Sequence, residues 1–298
     1  MRDAIHAQER HTDSLMLDPN VVGTAVGVGA HGHGLVKIFV KDARVGGLPG
    51  ALDGILVDVE ETGEIFALSC RQSRCDRPVP IGVSTGHPDI TAGTICCRVK
   101  AGEQVFALSN NHVYANSNNA SNGDSALQPG PYDGGKDPED AIGTLSDFEP
   151  IKFCSPYPSN CPNNTIDAAI ALSSTDLLGD ATPSDGYGKP KSTAASAALF
   201  LRVMKYGRTT GLTKGRIMYT NATINVNYGI GIARFVGQIG ISPGSFSAGG
   251  DSGSLIVVER GSNARKPVGL LFAGSSSYTF ANPINPVLDA FGVKIDGE

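Results

Sequence analysis

Short apolar stretches that end at glycine, asparagine or proline recur along most of this 298-residue chain. Their length and their content of valine, isoleucine and phenylalanine indicate strands and turns rather than long helices. Beyond residue 81 the stretches are 91–99, 103–110, 168–174, 201–207, 216–228, 233–241, 254–260 and 267–274. Many short strands separated by turns predict an all-β barrel or sandwich over residues 81–298.

The first 65 residues have a different pattern. Residues 1–17 can form a helix with few apolar members. Three strand-like runs follow it, at 21–29, 35–42 and 55–61. This order predicts a small α+β domain over residues 1–65, joined to the rest by a linker at about 66–80.

Two other segments stand out from the strand pattern. Asn116–Pro162 is long, polar and rich in glycine, proline, asparagine and aspartate, which predicts a functional or flexible loop that could gate a cleft. Residues 282–295 predict a short helix followed by an edge segment.

Composition and charge exclude several classes of protein. The chain is 40% hydrophobic and 18% charged, which suits a folded core, and its net charge of −5 makes nucleic acid an unlikely partner. Nowhere do about 18 apolar residues follow one another, so we expect no membrane span. The first twenty residues carry charges where an export signal needs an apolar run, so we expect a cytoplasmic protein, with unconventional export left open.

The cysteines do not fix the redox compartment. They form three local pairs, Cys70/Cys75, Cys96/Cys97 and Cys154/Cys161. None of the spacings is that of a zinc site, and Cys96 and Cys97 lie in an apolar run where cysteine behaves as a small hydrophobe. We expect reduced structural thiols, with a Cys154–Cys161 bridge as the main exception.

One glycine motif is a false signal for a cofactor. Residues 27–32 fit the G-x-G-x-x-G pattern of dinucleotide-binding proteins, but a strand-like run follows where that motif needs a helix. The glycines therefore predict a hairpin turn, and His31 and His33 within it are expected to be polar turn residues. We expect no cofactor and no metal.

The most informative segment for chemistry is Gly249-Gly250-Asp251-Ser252-Gly253-Ser254, which precedes the apolar run Leu-Ile-Val-Val. A serine between glycines in a tight turn can present its hydroxyl outward. The same turn can aim the amide N–H groups of Gly250 and Ser252 at one point, as a tetrahedral oxyanion requires.

A serine nucleophile needs a base, and the base needs a group that orients it. His112 follows the apolar strand-like run 104–109 and is the histidine best placed to be that base. Asp167 opens the apolar run 168–172, so its carboxylate can be buried against an imidazole. The sequence therefore predicts a triad of His112, Asp167 and Ser252.

These segments resemble the chymotrypsin-like serine proteases, in which the triad has the same chain order. The segment 249–254 resembles their nucleophile motif, 108–113 is similar to the histidine motif of the Deg-type branch, and 166–171 resembles the aspartate segment. Gly-Arg-Thr-Thr-Gly at 207–211 is similar to a segment of the bacterial streptogrisin and α-lytic enzymes. The resemblance covers roughly residues 81–298 and implies a double β-barrel, here preceded by the small α+β domain.

The resemblance also implies a set of roles. Ser252 would be the nucleophile, His112 the general base, Asp167 its orienting partner, and the Gly250 and Ser252 amides the oxyanion hole. The strand after the serine, with Phe272, Ala273 and Gly274, would flank an extended substrate, and Phe246 would lie near the base of the specificity pocket. With no acid there, we expect cleavage after small or apolar residues rather than after arginine or lysine.

Animal members of this class activate when a freed N-terminus pairs with the aspartate before the serine, here Asp251. Because a domain precedes the barrels, we expect that switch not to apply. Residues 1–65 would be a pro-domain, a regulator, an adaptor for a partner, or a domain simply packed against the barrels.

The leading hypothesis is a serine endopeptidase that acts on protein or peptide substrates through a covalent acyl-enzyme. Two alternatives stay open. One is a binding module that keeps the protease fold without turnover, and the other is an esterase-type acyl hydrolase, since the same machinery does not require an amide.

Overall fold

The protein is described by a computed structural model that covers residues 1–30, 32–44, 46–63, 65 and 70–298. Its chain divides into two compact units, residues 1–68 and 69–298. Each unit has its own core.

The first unit is one helix on one sheet. Its elements are α1 (Arg2–Leu15), β1 (Val21–Val28), β2 (Gly34–Val40), β3 (Ala51–Leu52) and β4 (Ile55–Glu61). The strands lie in the order β1-β2-β4-β3, with β2 and β4 parallel and the other pairs antiparallel. The helix buries Ala4, Ala7 and Leu15, and Ala7 and Leu15 share the apolar core of the sheet.

This arrangement confirms the helix and the three predicted strands of the first 65 residues. The antiparallel pairing of β1 with β2 also confirms that the glycine motif at 27–32 connects two strands rather than a strand and a helix. His31, which was expected in that turn, lies outside the described residues, whereas His33 lies between the two strands.

The second unit is almost entirely β-structure. Its strands are β5 (Ser84–Thr85), β6 (Gly93–Thr94), β7 (Cys97–Ala101), β8 (Gln104–Ser109), β9 (Ser125–Leu127), β10 (Ala141–Phe148), β11 (Asn163–Asn164), β12 (Ala169–Ser173), β13 (Arg202–Gly207), β14 (Gly211–Asn227), β15 (Ile232–Ser242), β16 (Leu255–Val258), β17 (Pro267–Gly274), β18 (Thr279–Pro283) and β19 (Lys294–Ile295). Two helices accompany them, α2 (Asn111–Tyr114) and α3 (Ile284–Phe291).

These strands form the two barrels that the resemblance implied. The first sheet has the order β19-β7-β8-β12-β10-β9. The second has the order β11-β15-β14-β13-β16-β17-β18 and closes on itself where β15 pairs with β18. Along β16, Ile256 and Val258 pack in the core of the second barrel, whereas Leu255 and Val257 belong to the apolar cluster that also contains the first sheet.

The predicted double barrel is confirmed, but two local expectations are wrong. The described part of the expected linker, residues 70–80, is part of the second unit, where Cys75 and Val79 are buried; residues 66–69 lie outside the described residues. The polar stretch Asn116–Pro162 is also not one long loop, because it contains β9 and β10, which complete the first sheet.

The cysteines are partly oxidised. The expected Cys154–Cys161 disulfide is present, and Cys96 and Cys97 are free and buried, as predicted. The disulfide between Cys70 and Cys75 was not expected, because the sequence alone placed these residues in a linker.

The predicted C-terminal helix and edge strand are confirmed as α3 and β19, and β19 pairs with β7 at the edge of the first sheet. Among the described residues, no helix combines the length and the apolar character needed to cross a bilayer.

The two neighbouring strands β8 and β12 provide a test of the first core. Leu108 is fully buried, whereas Leu172, on the paired strand, is 39% exposed. We expect Leu108→Ala to lower the free energy of unfolding by about 2–5 kcal/mol, because it leaves a cavity in a packed core. Leu172→Ala should change it by only about 0.5 kcal/mol. Urea unfolding of the full chain, followed by circular dichroism, measures both, and equal losses would contradict the assignment of this core.

Candidate active site

The three predicted triad residues lie at the ends of barrel strands. His112 is in α2, directly after β8, and Asp167 lies just before β12. Because Ser109 of β8 is paired with Ala169 of β12, the end of one strand meets the start of the other and brings the two side chains together. Ser252 comes from the second barrel, in the turn that leads into β16.

The imidazole of His112 contacts the carboxylate of Asp167. Nδ1 lies 2.6 Å from Oδ2, and the backbone N–H of His112 donates to Oδ1 at 3.3 Å. Asp167 is fully buried. An ionised carboxylate only accepts hydrogen bonds, so Nδ1 carries the proton of this pair and Nε2 of the neutral ring is left as the base.

Buried amide side chains hold Asp167 in place between the two barrels. Its backbone N–H donates to Oδ1 of Asn282 at 3.0 Å, and its carbonyl accepts from the Asn110 side chain at 2.7 Å. Asn282 in turn donates to Gln238 at 2.7 Å, and all three amide side chains are buried. Two of these residues come from the second barrel, so the network ties this aspartate to both barrels.

Two hydrogen bonds from one threonine hold the carbonyls of the nucleophile turn. The backbone N–H of Thr94 donates to the carbonyl of Ser252 at 2.8 Å, and its hydroxyl donates to the carbonyl of Gly250 at 2.9 Å. Gly250 has φ +92°, and a Cβ there would lie 2.6 Å from the Thr209 hydroxyl, so glycine is required. Within the described part of the chain, neither the Gly250 nor the Ser252 amide N–H has an acceptor, so both are free to bind an oxyanion.

Asp251 stabilises this turn from beneath. Its carboxylate accepts hydrogen bonds from the amides of Thr209, Thr210 and Ala248 and from the Thr210 hydroxyl. Lys205, on β13, supplies a counter-charge 3.5 Å away, and both side chains of the pair are fully buried. The charge on Asp251 is therefore balanced from within the same unit.

His112 and Ser252 line one cleft of about 880 Å³. Phe272, Ala273 and Gly274, the residues expected beside the substrate, line it too. The Ser252 hydroxyl makes no hydrogen bond to any described residue, so the imidazole and the hydroxyl share the cleft without a direct bond. In active sites without substrate, hydrogen bonds between catalytic groups are often long and shorten only when substrate binds.

A smaller pocket of about 260 Å³ opens beside Ser252. Small side chains line most of it: Ser247, Ala248, Gly249, Ala273, Gly274 and Ser275, with Leu271 as the largest. Phe246, which was expected near its base, is instead fully buried in the core of the second barrel and lines neither cavity. The reason is that its ring packs among the apolar side chains of that barrel, such as Ile217 and Ile241.

Sequence reasoning missed three residues of this site. Tyr228 donates its hydroxyl proton to Oδ2 of Asp167 at 2.8 Å, and no local pattern around it distinguishes it from an ordinary strand-end tyrosine. The sequence around Asn282 likewise gives no sign of its contact with Asp167. Lys205 did carry a signal, because it is the lone charge inside the apolar run 203–206.

Comparisons with known proteins agree with this architecture. The chain resembles the solved structure of Thermobifida fusca protease A, with a TM-score of 0.52, 19% identity, and coverage of 74% of this chain and 99% of that one. It also resembles Nocardiopsis protease, with a TM-score of 0.51, 17% identity, and coverage of 73% and 98%. A third is a serine protease specific for glutamic acid that uses a histidine triad in substrate binding, with a TM-score of 0.52, 21% identity, and coverage of 73% and 100%.

The second unit therefore has the fold of the chymotrypsin-like serine proteases, as the sequence motifs indicated. A family model described as the Nal1 C-terminal domain matches residues 192–281, a minority of the chain. No curated protein matches the chain in sequence.

Lys205→Met tests the ion pair beneath the nucleophile turn. The change leaves a buried carboxylate without its counter-charge, so we expect the free energy of unfolding at pH 7 to fall by about 3 kcal/mol. Lys214→Met is the matched control, because Lys214 lies at the same 3.5 Å from Glu259 but is 60% exposed. The control should change the unfolding free energy by no more than about 0.5 kcal/mol. Equal effects of the two substitutions in urea unfolding would contradict the role of Lys205.

The same pair predicts a pH dependence of stability. Burial lowers the pKa of Lys205 from 10.5 to about 8, against the opposing attraction of Asp251. Between these two values the unfolded chain binds more protons than the folded one, so the contribution of Lys205 to the unfolding free energy rises with pH. We expect the stability of the unsubstituted protein, relative to Lys205→Met, to increase from pH 8 to 10.5 in urea unfolding. A difference that is constant or decreases over this range would contradict the assignment.

Proposed function

We propose that this protein is a serine endopeptidase that hydrolyses peptide bonds through Ser252, His112 and Asp167. The observation that carries the proposal is the 2.6 Å contact between His112 Nδ1 and a buried Asp167 carboxylate, in a cleft that Ser252 also lines. Buried Asp–His contacts of this kind are how serine hydrolases fix the base tautomer.

In the proposed reaction, the Ser252 hydroxyl attacks the scissile carbonyl carbon while Nε2 of His112 takes its proton. The free amides of Gly250 and Ser252 receive the negative charge that develops on the carbonyl oxygen. Asp167 stabilises the imidazolium, which then gives the proton to the leaving amine as the C–N bond breaks. Water, activated by the same imidazole, hydrolyses the acyl-enzyme and restores Ser252.

The pocket beside Ser252 supports a preference for small or apolar side chains at the cleaved position. Its volume of about 260 Å³ is modest, and the residues that line it include no acid that could pair with arginine or lysine. Leu271 adds an apolar wall. This specificity is part of the proposal.

A second candidate is a protease-fold binding module without turnover. The observation that favours it is that the Ser252 hydroxyl has no hydrogen-bond partner among the described residues, including His112. An activated serine and an inert one differ in chemical reactivity, so the two candidates are separable by experiment.

A fluorophosphonate probe tests the nucleophile. We expect it to label the purified protein, and Ser252→Ala to abolish labelling and lower kcat on the order of 10⁶-fold, because no other group can form the acyl-enzyme. Ser277→Ala is the control, because Ser277 is exposed and lines neither cavity. Labelling and peptide hydrolysis by the unsubstituted protein would support the endopeptidase, ester hydrolysis alone would support an acyl hydrolase, and no labelling would support the binding module.

The proposed role of His112 as the general base predicts how activity depends on pH. Activity on a peptide library substrate should rise with pH, since only the neutral ring accepts the serine proton. Initial rates between pH 5 and 8 measure this. A profile that is flat over this range would contradict His112 as the general base.

A further inference from the structure

Tyr228 contacts both members of the Asp167–His112 pair. Its hydroxyl donates to Oδ2 of Asp167 at 2.8 Å, the same oxygen that lies 2.6 Å from the His112 Nδ1. Its ring meets the imidazole edge to face, with centroids 5.7 Å apart. We propose that Tyr228 is a positioning residue, whose phenol fixes the Asp167 carboxylate and through it the orientation of the His112 imidazole. This inference rests on the function proposed above.

The first argument is hydrogen-bond satisfaction. Asp167 is fully buried, so its carboxylate depends on protein donors rather than on water. Among the described residues those donors are the His112 amide on Oδ1, and the His112 ring and the Tyr228 hydroxyl on Oδ2. The phenol is the one donor that does not come from the histidine itself, so it holds the carboxylate independently of the group that the carboxylate must orient.

The second argument is that the phenol stays a donor. Burial, and then the neighbouring charge of Asp167, raise the pKa of Tyr228 well above its usual value. The hydroxyl therefore keeps its proton over the whole range in which an imidazole titrates.

The third argument is that the hairpin carrying Tyr228 is itself anchored. Tyr228 follows β14, and its backbone N–H donates to Gly231 at 2.9 Å across the turn to β15. The ring also packs edge to face on Phe153 at 5.8 Å, and Cys154 donates its N–H to Ile232 at 2.7 Å. The Cys154–Cys161 disulfide fixes Cys154, the residue next to Phe153, so the segment that contacts the Tyr228 ring is itself held by a covalent cross-link.

Tyr228→Phe removes the hydroxyl and keeps the ring. With peptide substrate we expect kcat to fall roughly tenfold, as for the loss of one hydrogen bond to a charged group, with KM within about twofold. Tyr219→Phe is the matched control, because Tyr219 lies on β14, the strand that Tyr228 follows, and among the described residues its exposed hydroxyl bonds to Tyr278 alone, at 3.1 Å. The control should keep both constants. Unchanged kcat in Tyr228→Phe, or a change in KM alone, would overturn the proposal.

The pH profile separates positioning from mere packing. The titratable groups that face the imidazole are Asp167 and Tyr228, and Asp89 also lines the cleft. Without the phenol, more of the charge on Asp167 acts on the imidazolium, so we expect the acid limb of the kcat/KM profile to move to higher pH. A variant with a lower melting temperature but an unmoved acid limb would show a structural role only, and would overturn the proposal.

The role of Tyr228 can also be tested by a measurement that does not depend on catalytic activity, so its result is independent of the proposed function. The Nδ1 proton of His112, bound between ring and carboxylate, can be observed by nuclear magnetic resonance at low field in the unsubstituted protein, Tyr228→Phe and Tyr219→Phe. We expect its resonance and its exchange with water to change in Tyr228→Phe alone. If the unsubstituted protein hydrolyses nothing, the proposed function fails while this comparison still decides the role of Tyr228. An identical resonance and exchange rate in all three proteins would overturn it.

Discussion

The site of this protein depends on a carboxylate that is removed entirely from water. An ion buried in this way is stable only where donors surround it, and a missing donor would cost more than an ordinary lost hydrogen bond. Asp167 meets that requirement with groups from both barrels: its backbone is held by Asn282 and Asn110, and its side chain by His112 and Tyr228. The relative placement of the barrels and the orientation of the imidazole are therefore set by the same contacts.

The second barrel also contains a buried carboxylate that needs partners, at the nucleophile turn. There the buried acid is Asp251, and the partner is a lysine on the adjoining strand rather than an imidazole. The two carboxylates have different roles: Asp167 orients the His112 ring, and Asp251 holds the peptide segment that carries Ser252. Thr94 holds this turn from outside the second sheet, because it lies on β6 of the two-stranded sheet β5-β6 and binds the carbonyls of Gly250 and Ser252.

Much of this could be predicted from local pattern. Apolar runs between turn residues identify most strands, and segments such as 249–254 identify their chemistry, because both signals lie within a few neighbouring residues. The strand β10 was missed because its polar neighbours conceal a short alternation of apolar and polar residues. Phe246 was misplaced because sequence order fixes its distance from Ser252 but not the direction of its ring.

Tyr228 and Asn282 could not be found in this way for a different reason. Each acts on Asp167 from a part of the chain far away in sequence, and each is an ordinary residue of its own segment. Their significance arises only when the two sheets are brought together. Long-range contacts of this kind leave no periodic trace in a single sequence.

The lysine beneath the nucleophile turn has one more consequence. Because Lys205 and Asp251 belong to the same barrel, the charge of this buried carboxylate is balanced inside that barrel, without a group from a freed chain end.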